Sequence, residues 1–221
     1  MKNQNYRSRL YDHYVKSRIA LAPTSIDGLA PRAPYLKQLI NEHFPKEKNA
    51  QILDLGCGHG ALIYFAQQSG YKNMHGVDVS PEQVLVAESL GIVGVEQGEI
   101  LPALGKYEDG SLDCVVAFDV IEHCSRDELI NFIDEVHRVL KTSGIWIIHT
   151  VNGQSPFFGA IRYGDLTHEI AFTANSLSQL MLSSGFSSVQ SYEERPIPHG
   201  MKSMIRAAFW LLFRAIMRFY I

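Results

Sequence analysis

The stretch Ile52-Leu53-Asp54-Leu55-Gly56-Cys57-Gly58-His59-Gly60 decides the architecture of this chain. An apolar run from Gln51 to Leu55 reads as a β-strand and feeds a turn with glycine at alternate positions, after which Ala61 to Gln68 reads as a helix. Glycines at such a turn let the backbone take positive φ and let a ligand approach the main chain closely. Asp54 stands two residues before the first glycine, where its carboxylate can accept hydrogen bonds from the loop or from a cationic ligand group. The spacing is G-x-G-x-G, not the G-x-G-x-x-G of dinucleotide binders.

A glycine-rich turn alone is also what a plain strand–helix junction looks like. The next segment adds the missing information. Met74-His75-Gly76-Val77-Asp78-Val79-Ser80 reads as a second strand ending in an acid, and Ser80-Pro81-Glu82 reads as a helix start, with Ser as the cap and Pro in the first turn. Asp78 follows the glycine loop by about 20 residues, the separation at which an acid at the next strand end meets a ribose diol. A carboxylate can accept from both hydroxyls of a diol at once.

Together these residues resemble motif I and its surroundings in the class I S-adenosylmethionine methyltransferases. That resemblance implies an α/β, Rossmann-like, doubly wound and mainly parallel sheet. It implies that Asp78 holds the ribose of S-adenosylmethionine, and that the backbone of Gly56, Cys57 and Gly58, above Asp54, holds the methionine part. Gly98 and Glu99 fall where related enzymes set an acid near the adenine amine, although Asp is more usual there than Glu. Val79, beside Asp78, and Phe118, at a further strand end, complete the expected cofactor set.

The bulk properties agree with one such domain. A chain of 221 residues can bury one α/β core but not two comfortable ones. A net charge of −3 gives no electrostatic reason to expect nucleic-acid binding. Cys57, Cys114 and Cys124 are scattered, form no metal-type pair, and read as reduced thiols. The polar start, Met1 to Arg7, has no apolar signal core, so a cytoplasmic location is expected. Residues 1–49 read as a helical cap, with Leu36 to Phe44 amphipathic and Pro45 closing it; residues 50–200 read as the catalytic domain. Strands are expected near 51–55, 74–79, 92–95, 113–119, 144–150 and 186–192, with helices between them. This alternation puts ligands at the carboxyl ends of a six-stranded sheet.

The turn after the fourth expected strand reads Phe118-Asp119-Val120-Ile121-Glu122-His123-Cys124, and Ser125 to Glu128 form a capping box opening a helix over Leu129–Leu140. A later loop, Arg162-Tyr163-Gly164-Asp165-Leu166-Thr167-His168-Glu169, is expected to fold back over the same edge. Asp119, Glu122, His123 and His168 are therefore the candidate catalytic residues. The pairing of D-x-x-E-H with a distant His resembles the quinone-pathway O-methyltransferases and the plant small-RNA 2′-O-methyltransferases, which use E-x-x-E-H. That resemblance implies that the same four residues bind Mg²⁺, Mn²⁺ or Zn²⁺, with Asp119 a shorter ligand than the usual Glu. A bound cation lowers the pKa of an acceptor hydroxyl. Without a metal, His123 or His168 serves as general base; on a purely structural reading Asp119 and His123 cap the turn.

A wider resemblance, carried by Tyr11-Asp12-His13-Tyr14-Val15, the glycine motif, Tyr163 to Glu169 and Pro196-Ile197-Pro198-His199-Gly200, is to bacterial methyltransferases associated with surface polysaccharide biosynthesis. It implies O-methylation of a sugar hydroxyl, with Asn152, Ser155 and Arg162 near the acceptor. The quinone-pathway reading, with a catechol acceptor, and a non-catalytic S-adenosylmethionine-binding partner are the alternatives. Finally, residues 201–221 carry only Lys202, Arg206, Arg214 and Arg218 as charges, +4 against −7 on the rest of the chain. A basic amphipathic helix rich in Trp and Phe suits a peripheral contact with the inner face of an anionic membrane, or packing on the sheet or on a second subunit. Class I enzymes usually end their sheet in an antiparallel hairpin, of which only a first half near Ser187 to Glu194 is expected here.

Overall fold

Two apolar stretches, 51–55 and 112–118, can bury both of their faces, the condition for the centre of a parallel sheet, and three more stretches pair beside them. The computed structural model describes residues 6–17, 19–20, 22–198 and 200–220; His199 lies outside them. In chain order the elements are α1 (Tyr6–Tyr11), a 3₁₀ turn (Ile26–Arg32), α2 (Ala33–His43), β1 (Gln51–Leu55), α3 (Ala61–Gln68), β2 (Asn73–Asp78), α4 (Pro81–Ser89), β3 (Val95–Gln97) and α5 (Ile100–Leu104). They continue with β4 (Leu112–Phe118), a second 3₁₀ turn (Ile121–His123), α6 (Arg126–Val139), β5 (Leu140–His149), α7 (Phe158–Arg162), α8 (Ala174–Ser183) and α9 (Met201–Tyr220).

The strands form one parallel sheet in the order β3-β2-β1-β4-β5. The order reverses between β1 and β4, and a crevice opens outside the carboxyl ends of strands at such a switch point. Side chains alternate across the sheet: Leu53, Leu55, Val115 and Ala117 pack with α6, whereas Ile52, Cys114 and Val116 pack with α2 and α3. The expected N-terminal cap is thus continuous with the core, since Leu36 and Ile40 of α2 are buried in that second cluster. At α6 the capping box forms as expected, Glu128 N–H donating to Ser125 Oγ and Ser125 N–H to Glu128 Oε2.

Three expectations need correction. Among the described residues the sheet has five strands, not six, because residues 186–192 form no strand and do not join it. That segment is broken by Ser187, Ser188 and Gln190, and offers no apolar alternation to hold it beside β5. The third strand is Val95–Gln97 rather than 92–95, because Gly91 and Gly94, both at positive φ, keep the preceding residues in a turn. The fifth strand begins at Leu140, with a register irregularity between its pairings to Leu112 and Cys114. Among the described residues no helix is long and apolar enough to cross a membrane.

Candidate functional site

At the switch point lies a cavity of about 340 Å³, bounded by the glycine loop, the ends of β1, β2 and β4, and residues of the first twenty such as Tyr11 and Tyr14. The glycine loop uses left-handed backbone at Gly56, Gly58 and Gly60. Its amides are consumed internally: Gly56 and Cys57 N–H donate to the Val77 carbonyl, and Gly58 N–H donates to Asp78 Oδ2 at 2.8 Å. The loop is therefore not a phosphate cradle, which needs open N–H donors. Among the described residues that line the cavity, the buried side-chain atom without a hydrogen-bond partner is an acceptor, Asp54 Oδ1. Burial, reinforced by the neighbouring Asp78 carboxylate, pushes the Asp54 carboxyl up to about 8. A cationic ligand group is what would recharge it.

Asp78 is pinned by two main-chain amides, Gly58 and Ser80, each at 2.8 Å. Its oxygens retain lone pairs for a diol. His59, which the sequence did not mark, is buried, meets Gln83 Oε1 through Nδ1 at 3.0 Å, and is held below its usual pKa by burial. Arg32 brings a guanidinium to the cavity wall from the turn before α2.

On the acceptor side, His123 lines the same cavity. Its Nδ1 lies 2.8 Å from Thr167 Oγ1, which itself donates to Asp165 Oδ1 at 2.7 Å; Tyr14 Oη donates to the other Asp165 oxygen at 2.6 Å. With the threonine proton directed to the carboxylate, Thr167 can only accept from the ring. His123 therefore carries its proton on Nδ1 and keeps a lone pair on Nε2. Burial and the nearby His168 push its pKa down to about 4, so it is neutral at pH 7. His168 is fixed in the same sense, its Nδ1 facing the Ile161 carbonyl at 3.2 Å. Glu122 is fully buried; its Oε2 accepts from Thr150 and its Oε1 has no partner. Burial, with Asp119 nearby, raises the Glu122 carboxyl to about 7.

One ligand-type atom from each of Glu122, His123 and His168 falls within 4.8 Å of the others. Asp119 instead turns to His149, Oδ1 to Nδ1 at 2.6 Å, and His149 Nε2 reaches Glu194 at 3.1 Å. Although burial opposes its charge, the two carboxylates push the His149 imidazole up to about 10, making it a standing cation stacked on Phe118. Asp119 sits at φ 54, a left-handed conformation that Asp tolerates better than most residues.

A family model described as a methyltransferase domain matches residues 29–191. The chain belongs to that family. Its fold matches a SAM-dependent methyltransferase from Archaeoglobus fulgidus (TM-score 0.62, 19% identity, 80% of this chain and 85% of that one). It also matches an S-adenosylmethionine-dependent methyltransferase from Mesorhizobium loti (TM-score 0.60, 19% identity, 83% of this chain and 94% of that one). Among curated proteins, ajmaline N-methyltransferase of Rauvolfia serpentina is 30% identical over 47% of this chain and 37% of its own length. The ubiquinone biosynthesis O-methyltransferase of Azorhizobium caulinodans is 30% identical over 55% and 51%, and the cyclopropane-fatty-acyl-phospholipid synthase of Escherichia coli K12 is 25% identical over 66% and 38%. The chain thus spans between 37% and 51% of the length of these curated relatives.

Within the methyltransferase domain, Asp54, Gly56, Cys57, Gly58, Asp78, Val79, Phe118, Asp119 and His123 all line the cavity. Gly98 and Glu99 do not. Glu99 is an exposed N-cap of α5, and Ile100 faces the cavity instead. Glu122 and His168 lie beyond His123, outside the cavity wall. Asn152, Ser155 and Arg162 serve their own loops, accepting from Gln154 N–H, accepting from Phe157 N–H and donating to the Glu169 carbonyl respectively. The glycine loop has little tolerance for change. A Cβ on Gly56, at φ +70, would stand 2.5 Å from Val120 Cγ2. Gly56→Ala is expected to lower stability by about 2–3 kcal/mol, backbone strain and overpacking together, as read by urea denaturation; Val120→Ala in that background recovers part of the loss.

Proposed function

We propose that this chain is an S-adenosylmethionine-dependent O-methyltransferase whose acceptor is a sugar hydroxyl of a surface glycan or its precursor, activated either by His123 as general base or by a divalent cation. The observation that carries the reading is the Asp165–Thr167–His123 chain, which leaves a neutral imidazole with Nε2 free to accept a proton at the cavity edge. A general base must be unprotonated to act, and this imidazole is unprotonated at neutral pH. The cavity suits the cofactor: S-adenosylmethionine is cationic at its ammonium and its sulfonium, and Asp54 Oδ1 is a buried acceptor lacking a partner. Bound there, the cofactor supplies an electrophilic methyl group whose leaving group needs no acid. Arg32 suits its carboxylate, and Asp78 its ribose.

The rest of the reaction is orientation, in which holding acceptor oxygen and methyl in line converts a bimolecular encounter into a local one. Where Glu122, His123 and His168 hold a cation, His123 Nε2 is a ligand and not the base, and the cation instead lowers the pKa of the acceptor oxygen bound to it. Both imidazoles already have their Nδ1 atoms occupied by acceptors, the outer-shell arrangement that presents Nε2 to a metal. In calorimetry, wild type is expected to bind about one equivalent of Mn²⁺ or Zn²⁺, and His168→Ala to bind it at least 10-fold more weakly, the scale for losing one ligand of a site. If wild type and variant behave alike, the trio is not a metal site and His123 acts alone.

The quinone-pathway reading is favoured by one observation, the relative named as a ubiquinone biosynthesis O-methyltransferase. Transfer of a radiolabelled methyl group to a panel of sugar diols and catechols decides between them. Label on the sugars supports the proposal, whereas label on catechols alone replaces it. No transfer to either, with the cofactor bound, favours a non-catalytic partner.

A further inference from the structure

Helix α9 presents two different faces. On a helix of about 3.6 residues per turn, Ser203, Ala207, Trp210, Arg214 and Met217 fall on one side, and these are the residues partly or wholly covered by the rest of the chain. Arg214 pairs with Glu193 at 2.6 Å and stacks over Trp210. The opposite side carries Met201, Ile205, Ala208, Leu212, Ile216 and Phe219, all exposed, with Leu212 at 60% and Phe219 at 95%. By the same geometry this outward stripe is roughly 140° wide and holds no polar residue. Lys202 and Arg206 border it along one edge and Arg218 along the other.

The apolar surface does not stop at the helix. Phe213 stacks on Phe157 with centroids 5.9 Å apart, and Phe157, Ile161, Tyr163 and Leu166 of the neighbouring loop are exposed as well. That loop carries Asp165, Thr167 and His168, and the Ile161 carbonyl is the atom that holds the His168 ring.

We infer that α9, with the exposed apolar side chains of the 157–166 loop, docks on the surface of an anionic phospholipid bilayer. Three observations select that occupant. The stripe is bordered on both edges by basic side chains long enough to lie outward while their stems cover apolar surface, the arrangement of an interfacial helix. Its longest unbroken apolar run, Ala207 to Phe213, is far below the ~20 residues of a span, so the helix lies along the surface. The charge is one-sided: residues 201–221 contain no Asp or Glu and carry +4, while the remainder carries −7. An anionic surface attracts the helix and repels the body, which orients the molecule. A second copy fits less well, because antiparallel pairing of two stripes sets Lys202 and Arg206 beside Arg218 with no acid in the helix to neutralise them. The inference rests on α9 itself and is independent of the acceptor.

The test is sedimentation of the full chain with sucrose-loaded vesicles of phosphatidylglycerol and phosphatidylcholine in equal parts, against vesicles of phosphatidylcholine alone. Wild type is expected to partition at least about 10-fold more strongly to the anionic vesicles, and to be released by high salt. The doubly substituted Phe209→Glu, Leu212→Glu chain should lose binding by about 10-fold or more, since two buried apolar anchors are replaced by repelled charges. Arg206→Glu with Arg218→Glu should lose it too while leaving the stripe intact. Equal melting temperatures would show that both variants fold. Wild type remaining in the supernatant overturns the inference, as does a double glutamate variant that binds undiminished. Light scattering that finds a wild-type dimer dissolved by Phe209→Glu, Leu212→Glu overturns it in favour of a second copy.

Discussion

His123→Ala is expected to lower kcat for methyl transfer by about 10²- to 10⁴-fold, the range for losing a general base, while leaving S-adenosylmethionine affinity within about twofold by calorimetry. The reason is positional. His123 lines the cavity, and the Thr167–Asp165 chain holds its ring proton on Nδ1 and leaves Nε2 to accept. The pH dependence follows from the environment. Burial and His168 hold His123 near 4, so it is neutral, and competent, across the range above about pH 5. Its own contribution to the rate is lost only as pH falls through about 4. Where the trio holds a cation, Glu122, raised by burial to about 7, gives a second limb: its carboxylate form, the form that binds the cation, is lost as pH falls below 7. Glu122→Gln should abolish that upper limb and leave the lower one. Thr167 is a positioning residue. Thr167→Val should cost less in kcat than His123→Ala, and Thr167→Ser should restore most of the loss; the survival of activity on restoring the hydroxyl is what a merely packing role would not produce.

Asp54→Asn should weaken S-adenosylmethionine by about 10- to 100-fold and at the same time make the ligand-free protein more stable at alkaline pH. The affinity term is that of a charge-assisted contact, about 1.5–3 kcal/mol. The stability term has a definite sign. The native carboxyl is raised from 3.8 to about 8 by burial first and Asp78 second. A group raised in this way binds its proton more tightly in the folded state, so stability falls as pH rises from about 4 and the penalty is complete above about 8. Removing the charge should therefore gain on the order of 2 kcal/mol at pH 9 and almost nothing at pH 4, less than full linkage because a buried amide N–H needs a partner of its own. Denaturant titrations at the two pH values read the difference. A variant that is weaker in binding yet no more stable at pH 9 would show that Asp54 is already screened in the free protein.

The cofactor side of this domain was largely legible in the chain because it depends on local syntax. A strand, three alternate glycines and an acid about 20 residues on specify φ, register and chain reversal without help from distant residues. Gly56, Gly58 and Gly60 take the left-handed backbone that their spacing called for. What the loop does with its amides was not legible. Their capture by Val77 and Asp78 depends on β2 lying beside β1, a tertiary fact. The same limit explains Glu99: the motif names a strand end, but β3 is short and α5 begins at once, so the cavity meets Ile100 instead.

The acceptor side depended even more on long-range contacts. The D-x-x-E-H pattern and the later Thr-His were visible, and Glu122, His123 and His168 do converge. Asp119 leaves that group because β5 delivers His149 beside it, a partner no spacing within the motif announces. Arg32 reaches the cavity from a segment that carries no pattern of its own, and His59 and Tyr14 stand inside patterned stretches that gave neither of them a role there. The sixth strand was misjudged for an opposite reason. Local propensity suggested one near 186–192, but a strand exists only where a ladder receives it.

Glu193 and Glu194 are consecutive, yet they answer to different parts of the molecule. Glu193 is held by Arg214 of α9, and Glu194 by His149, which in turn holds Asp119 at the cavity rim. One peptide bond therefore separates the helix's only inward-facing ion pair among the described residues from the charged cluster beside the cavity. Coupling between binding events is reciprocal by thermodynamic necessity. If settling α9 on a partner favours one arrangement of this pair of acids, occupancy of the cavity must favour or oppose that settling by the same factor. Under that condition the short acidic bridge would make cargo and docking two readings of a single equilibrium.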